Sequence, residues 1–339
     1  MSVQLREADL VQDQPALIAL ARTHLAEMDA DRFRWLYHEN PFGQARAWLA
    51  FEGGTGTPIG MAALFPRMSF CDGAEVLGCV LGDFCVSPDY RSLGPALKLQ
   101  RACLSAIESG QFAFCYDFPS RPMVAVYRHL GLEPRFTSVR MAKLLRTEEK
   151  VRQILPMRTL SRAVAKAADF ALRLRDGEPP ANKDEEYRLD EQPCSEKYLQ
   201  LARRVGSSLG CCTFRSPEYL NWRYRRHPSL HYEFLTVSRG DELQAYCIFT
   251  VSQGRAHIVD LFGVADDQPL AGLIRRLVKL LRSRGASVVS LSALEGDPRT
   301  PLLRSLGFSN RDSAPVIGCG ARLTNLGSPL LLMHGDRES

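Results

Sequence analysis

Trp35, Tyr37 and Pro41 recur as Trp222, Tyr224 and Pro228 with identical internal spacing in the second half of the chain. Val86 and Gly94 find counterparts in Val264 and Gly272, again equally spaced. Leu130-Gly131-Leu132 finds one in Leu306-Gly307-Phe308. Landmarks in one order at a nearly constant offset mean that a single α/β unit occurs twice. Two long copies are a duplication, because a solenoid stacks many short ones. A chain of 339 residues is long enough for each copy to bury its own core.

The first copy carries most of the chemistry. Val80-Leu-Gly-Asp-Phe-Cys-Val86 is an apolar strand pattern, and Ser-Pro-Asp-Tyr-Arg91-Ser-Leu-Gly94-Pro-Ala96 follows as a turn. An amphipathic helix pattern, Leu97–Leu104, starts at once. A strand feeding a helix through small residues presents unpaired N–H groups and a positive dipole end to an anion. Gly94 and Ala96 let a ligand come close to the backbone, and Arg91 adds charge-assisted hydrogen bonds to a phosphate oxygen. Pro95 contributes no N–H. The second copy loses this equipment: Pro269 answers Arg91, Leu273-Ile274 answers Pro95-Ala96, and Leu303 answers Tyr127.

Arg91-x-x-Gly94-x-Ala96 is neither a G-x-G-x-x-G nor a G-K-[ST] loop. It resembles motif A of the GNAT superfamily of acyl-CoA-dependent N-acyltransferases, where Arg/Gln-x-x-Gly-x-Gly/Ala holds the pyrophosphate of coenzyme A. The string Asp83-Phe-Cys-Val-Ser-Pro-Asp-Tyr-Arg91 is similar to polyamine acetyltransferases at the same place. Downstream, the aromatic strand pattern Phe112–Phe118 and the helix pattern Val124–Leu130 fit the family order, as do the strand and helix patterns of Val3–Leu10 and Pro15–Leu25. The resemblance covers roughly residues 1–145. It implies an α/β (α+β) fold of two tandem GNAT-like domains, each a mixed, mostly antiparallel central sheet flanked by helices. The expected layout is a catalytic domain at 1–146, a basic amphipathic helix and linker at 147–193, a degenerate copy at 194–325 and a tail at 326–339.

The resemblance also assigns roles. Phe84, Cys85, Val86, Arg91, Ser92, Leu93, Gly94, Pro95, Ala96 and Ser120 become the cofactor contacts, with Ser120 where the family often has Asn. Tyr127, in Tyr127-Arg-His-Leu-Gly131, becomes the general acid that returns a proton to the departing thiolate. The polyamine-acetylating relatives have an acidic pair where this chain has Gly82-Asp83, so one acid is lost and Asp83 is the first candidate base. Asp117 ranks below it. Trp35, Tyr37 and Pro41 occur in both copies, which favours structural roles, with an acceptor-pocket role for Tyr37 as the lesser reading. His38 and His129 are isolated from other metal-ligand types, so no metal is expected.

Composition narrows the partners. A net charge of +5 suits an anionic cosubstrate and is too small to argue for nucleic acid. No run approaches a bilayer span and the start lacks a signal pattern, which points to a cytoplasmic protein. The ten cysteines lack metal spacing and read as buried free thiols. Leu160, Val164, Ala167, Ala171 and Leu174 form an apolar helix face between the copies, read as a connector packed on one domain ahead of peripheral membrane contact. The expected activity is acetyl transfer from acetyl-CoA to a primary amine on a small molecule, a sugar or a protein. The alternatives are an aminoacyl-tRNA-dependent ligase of the FemABX type, also a tandem of such folds, and a non-catalytic CoA-binding scaffold or sensor.

Overall fold

The computed structural model describes residues 3–25, 28–53, 56–148, 151, 158–177, 184–206, 210–263, 267–327 and 329–338. Val264 and parts of the stretch between the copies lie outside them. The first half runs β1 (Val3–Glu7), α1 (Gln14–His24), α2 (Ala30–Phe33) and a π-turn (Arg34–His38). It continues β2 (Arg46–Glu52), β3 (Pro58–Cys71), β4 (Ala74–Val86), α3 (Leu93–Glu108), β5 (Cys115–Asp117), α4 (Arg121–His129) and β6 (Phe136–Leu144). After α5 (Arg158–Asp176) the order repeats as β7 (Glu185–Leu189), α6 (Glu196–Gly206), β8 (Cys211–Thr213), α7 (Pro217–Leu220) and a second π-turn (Asn221–Arg225). Then come β9 (Glu233–Arg239), β10 (Glu242–Ser252), β11 (Arg255–Gly263), α8 (Asp267–Ser283), β12 (Val288–Leu294), α9 (Thr300–Ser305) and β13 (Ser309–Cys319). The last described elements are α10 (Ala321–Thr324), β14 (Leu330–Leu331) and a 3₁₀ turn (His334–Asp336). Among the described elements, β8 is an insertion into the repeated order.

Local chemistry explains the repeated hairpin. Asp72 and Gly73 both have positive φ, 52° and 81°, between the paired ends Cys71 and Ala74. Gln253 and Gly254, at 49° and 71°, do the same between Ser252 and Arg255. Two residues in the left-handed region make the turn whose twist matches antiparallel strands. β3 is buried along nearly its whole length, which suits a strand covered on both faces.

The copies do not close separate sheets. One sheet runs β1-β2-β3-β4-β5-β13-β6-β12-β11-β10-β9-β7, with β8 and β14 beside that path. The last strand of each half has crossed over: β13 pairs with β5, Ile317 opposite Asp117, and β6 pairs with β12, Met141 opposite Leu291. Mutual pairing satisfies strand edges that two closed domains would leave open at their boundary. Trp35 and Trp222 mark the pseudo-symmetric centre. Their rings stack with centroids 5.0 Å apart, and each indole N–H donates to the other's carbonyl at 2.8 Å. These tryptophans and the π-turns that carry them are therefore interface structure.

Three further expectations change. Cys71 and Cys211 form a disulfide, with Cα atoms 4.0 Å apart, because β8 lies along the end of β3; the other described cysteines are free. β7 lies inside the stretch expected to be linker and pairs with β9. Among the described side chains of α5, Ala165 is buried, while Val164, Phe170 and Leu174 are exposed. Asp169 accepts from the Thr147 amide and hydroxyl, and Asp176 pairs with Lys143, so hydrogen-bonding and ionic partners turn a polar stripe inward in place of the expected apolar one. The Leu160 side chain lies outside the described set. No helix among the described residues is long and apolar enough to cross a membrane.

Candidate active site

β4 and β5 are paired only through Cys79–Cys115 and Val80–Tyr116, so they part beyond that point. Two features hold β4 away. β5 stops at Asp117, and β4 carries a bulge where its register to β3 shifts between Ala63–Gly82 and Met61–Cys85. Asp83 lies in that bulge with φ of 43°, an uncommon conformation for a residue with a side chain. The result is a V-shaped opening whose walls are the ends of two strands.

At the top of the V, β4 ends at Val86 and α3 begins at Leu93. Arg91, Ser92, Leu93 and Gly94 are exposed, while Pro95 and Ala96 are buried. The Leu93 and Gly94 amides fall in the first turn, where a helix supplies no acceptor. Ser92, the N-cap residue, makes no side-chain capping bond. A side chain at Gly94 would meet nothing within 4 Å, so the protein's own packing does not require glycine there. Arg91 folds back, its Nε donating to the Val86 carbonyl at 3.3 Å. Phe84, Cys85 and Val86 form the β4 wall, and Ser120 is exposed as the N-cap of α4, again without a capping bond.

Below the loop the ionisable groups separate onto the two faces of the sheet. Asp83 accepts from the Tyr37 hydroxyl at 2.9 Å and lies 3.5 Å from Arg32. Phe33 stacks on Tyr37 at 4.2 Å and holds that phenol in place. On the other face, fully buried Tyr127 donates to Asp117 at 2.5 Å and lies 3.3 Å from Gln100 Oε1. Burial raises the Asp117 carboxyl to about 7, with Glu338 adding a smaller push and Tyr127 opposing it. Burial also holds the Tyr127 phenol well above its usual value, and the Asp117 charge adds to this. Tyr127 is thus joined to the acid ranked second in sequence.

One residue was missed altogether. A side chain at Gly82 would run into Glu338, which occupies the place of the absent acid of the Gly82-Asp83 pair. Burial raises the Glu338 carboxyl and the nearby Asp83 charge adds to this, while Arg337 and Arg223 oppose it. The segment that brings Glu338 here is gripped by both halves. Tyr116 donates to the Asp336 carbonyl at 2.9 Å, and Arg223 donates to the carbonyls of Gly335 at 2.9 Å and Arg337 at 3.0 Å. Arg215 bridges Asp336 at 3.0 Å and Asp260 at 3.2 Å. A position so far along the chain carries no local signal that it belongs beside Gly82; only the glycine, a missing acid, hinted at a replacement.

The second half fills the equivalent space. A side chain at Gly272 would strike the Tyr187 hydroxyl of β7, and Asp260 of β11 is committed to Arg215 and to Tyr246 at 3.1 Å. Among the described residues no group of three or more His, Cys, Asp or Glu is placed to hold a metal.

Residues 14–132 match the Acetyltransferase (GNAT) family. No curated protein matches the chain. A GCN5-related N-acetyltransferase from Anabaena variabilis is similar in fold, with TM-score 0.67 and 14% identity over 94% of this chain and 72% of that one. A probable N-acyltransferase from Enterococcus faecalis gives 0.66 and 12%, again over 94% and 72%. Saccharomyces cerevisiae N-myristoyltransferase, solved with bound myristoyl-CoA, gives 0.58 and 14% over 94% and 82%.

Proposed function

We propose that the GNAT-family acyltransferase domain of residues 14–132 moves an acyl group, acetyl in the simplest case, from acyl-CoA to a primary amine. The observation that carries this reading is the opening between β4 and β5, with a bare glycine and free helix-start amides above it and a half-buried acid bonded to a buried phenol at its side. The yeast neighbour with bound myristoyl-CoA supports an acyl-CoA donor in this fold.

Acyl-CoA supplies an activated thioester carbonyl, and the protein binds, orients and moves protons. The amides of Leu93 and Gly94, with Arg91 and Ser92, hold the diphosphate; Arg91 leaves the Val86 carbonyl to do so. Ser120 adds a polar contact at the start of α4. Phe84, Cys85 and Val86 offer β4 backbone groups to the pantetheine arm as an added strand would. A backbone N–H near Val86 steadies the thioester oxygen as charge develops there. The amine nitrogen bonds to the carbonyl carbon and the carbon–sulfur bond breaks. Glu338 takes the amine proton, being a half-buried carboxylate with no ion pair at bonding distance among the described residues. Asp83, tied to Tyr37 and Arg32, orients the site and favours a cationic acceptor. Tyr127 gives its proton to sulfur and regains one from Asp117, whose carboxyl is half protonated near neutrality.

Calorimetric titration of acetyl-CoA into the wild type and Arg91→Ala tests the reading. Binding in the micromolar range that weakens about tenfold in the variant is expected from the loss of a charge-assisted hydrogen bond. No binding to a well-folded wild type would overturn it and favour a tRNA-dependent or non-catalytic protein. Octanoyl- and myristoyl-CoA in the same titration test the acetyl assignment, which fails if a longer chain binds more tightly.

A further inference from the structure

A cavity of about 640 Å³ lies in the second half, between α5, α8 and the β6 strand, well away from the opening described above. Its wall carries Lys143, Arg146, Arg275, Lys279 and Arg282 against one described carboxylate, Asp176. That carboxylate is already shared. Lys143 Nζ and Arg282 Nη2 each lie 2.5 Å from one of its oxygens. Arg146 donates to the Arg282 carbonyl at 2.7 Å and has no carboxylate partner among the described residues. Arg275 and Lys279, one turn apart on α8, have no ion-pair partner there either. Like charges at that spacing repel along a helix.

The charge is not a property of the repeated scaffold. The related groove of the first half, beside the ends of α3 and α4, has a similar volume of about 630 Å³ and is lined by Leu104, Ile107, Phe112, Leu130 and Leu132, with Glu108 its one charged residue. Only the second half converts this groove to a basic one. Cations gathered in a concave wall, where solvent screens them less, raise one another's energy, and a multivalent anion relieves it. Leu174, Ile274, Val278 and Leu306 give the wall an apolar stretch beside Ser283 and Ser305. The volume falls within the roughly 300–1,000 Å³ of small-molecule sites.

We propose that this cavity binds an organic phosphate carrying at least two negative charges. Its phosphates face Arg146, Arg275 and Lys279, and its organic part lies on Leu174, Ile274 and Val278. Asp176 is the internal anion with which it competes for Lys143 and Arg282.

The proposal is tested by titrating pyrophosphate and ATP into the full chain and into three variants. Wild-type binding should weaken about tenfold or more in the double variant Arg275→Glu/Lys279→Glu, as expected for losing charge-assisted contacts. It should tighten in Asp176→Asn, and the component sensitive to the α8 charges should persist in Arg91→Ala, which removes contacts only at the loop between β4 and α3. Both α8 side chains reach solvent, and an unchanged thermal unfolding curve verifies that the double variant folds. Absent binding, binding indifferent to the α8 charges, or binding lost in Arg91→Ala alone would overturn the proposal. So would co-sedimentation with phosphatidylserine vesicles that depends on Arg275 and Lys279 without soluble phosphate binding, because that result would make the basic wall a membrane contact.

Discussion

Gly94 and Gly272 occupy related places in the two halves and face opposite surroundings. Around Gly94 a side chain would find empty space; around Gly272 it would strike the Tyr187 hydroxyl. The carboxylates also differ in their partners. Asp117 of the first half is half-buried beside Tyr127 with no ion pair among the described residues, whereas Asp260 of the second half, at the place of Gly82, is held by Arg215 and Tyr246. A duplicated scaffold has kept its fold in both copies, while one copy leaves donors, acids and space uncommitted. The other half has put its charges to structural use, and Arg215 and Arg223 anchor the segment that carries Glu338 into the first half's site. The lesson is that a functional copy is recognised by what its residues leave unpaired.

The comparison breaks first at the centre. Trp35→Ala and Trp222→Ala each remove a fully or almost fully buried ring and one of two reciprocal hydrogen bonds. Each should cost about 3–5 kcal/mol. Chemical denaturation should show similar losses from the two sides; a large asymmetry would mean that the centre is not shared equally. Next is Glu338→Gln, expected to lower kcat about 10²–10³-fold with acetyl-CoA affinity retained. If Asp83→Asn abolishes turnover and Glu338→Gln does not, the base is the local acid and the second half contributes no chemistry.

Asp117 gives a pH signature. Its carboxyl is raised from 3.8 to about 7 in the fold, so the native state holds a proton that the unfolded chain releases between those values. This contribution to stability is fully present below about pH 4 and is lost as pH rises toward 7, on the order of 4 kcal/mol at most. Denaturation midpoints of Asp117→Asn should lack that decline, and an inflection near pH 7 in the rate profile should vanish with it. The smallest effects separate the glycines. Gly94→Ala should leave stability within about 1 kcal/mol of wild type and weaken acetyl-CoA binding. Gly272→Ala should cost about 1–3 kcal/mol through the clash with Tyr187, without changing that binding. The reverse pattern would place the cofactor in the second half.

Much of this was legible because it is local. The turn from Val86 to Ala96, the first strand and helix, and the repeated Trp-x-Tyr segments are runs of neighbouring residues whose pattern fixes their conformation. Asp117 is legible as an acid, but its rise comes from burial, against the opposing Tyr127 hydrogen bond, and spacing reveals neither. The crossing of β6 and β13 was invisible, since either strand has the same alternation whichever sheet receives it. On α5 the apolar stripe was a poor guide because Asp169 and Asp176 found partners on the inward side. Glu338 required the whole tertiary path.

The crossed strands also set an order of events during synthesis. β5, the strand that ends in Asp117, receives its second neighbour only when Ile317 and Cys319 arrive, close to the end of the chain. A nascent first half emerging from the ribosome therefore has an open strand edge until residues 317–319 have been made. Such edges attract other strands, and pairings between distant segments form slowly. The same feature that joins the halves in the finished protein postpones the closing of the sheet beside Asp117 until the second half is in place.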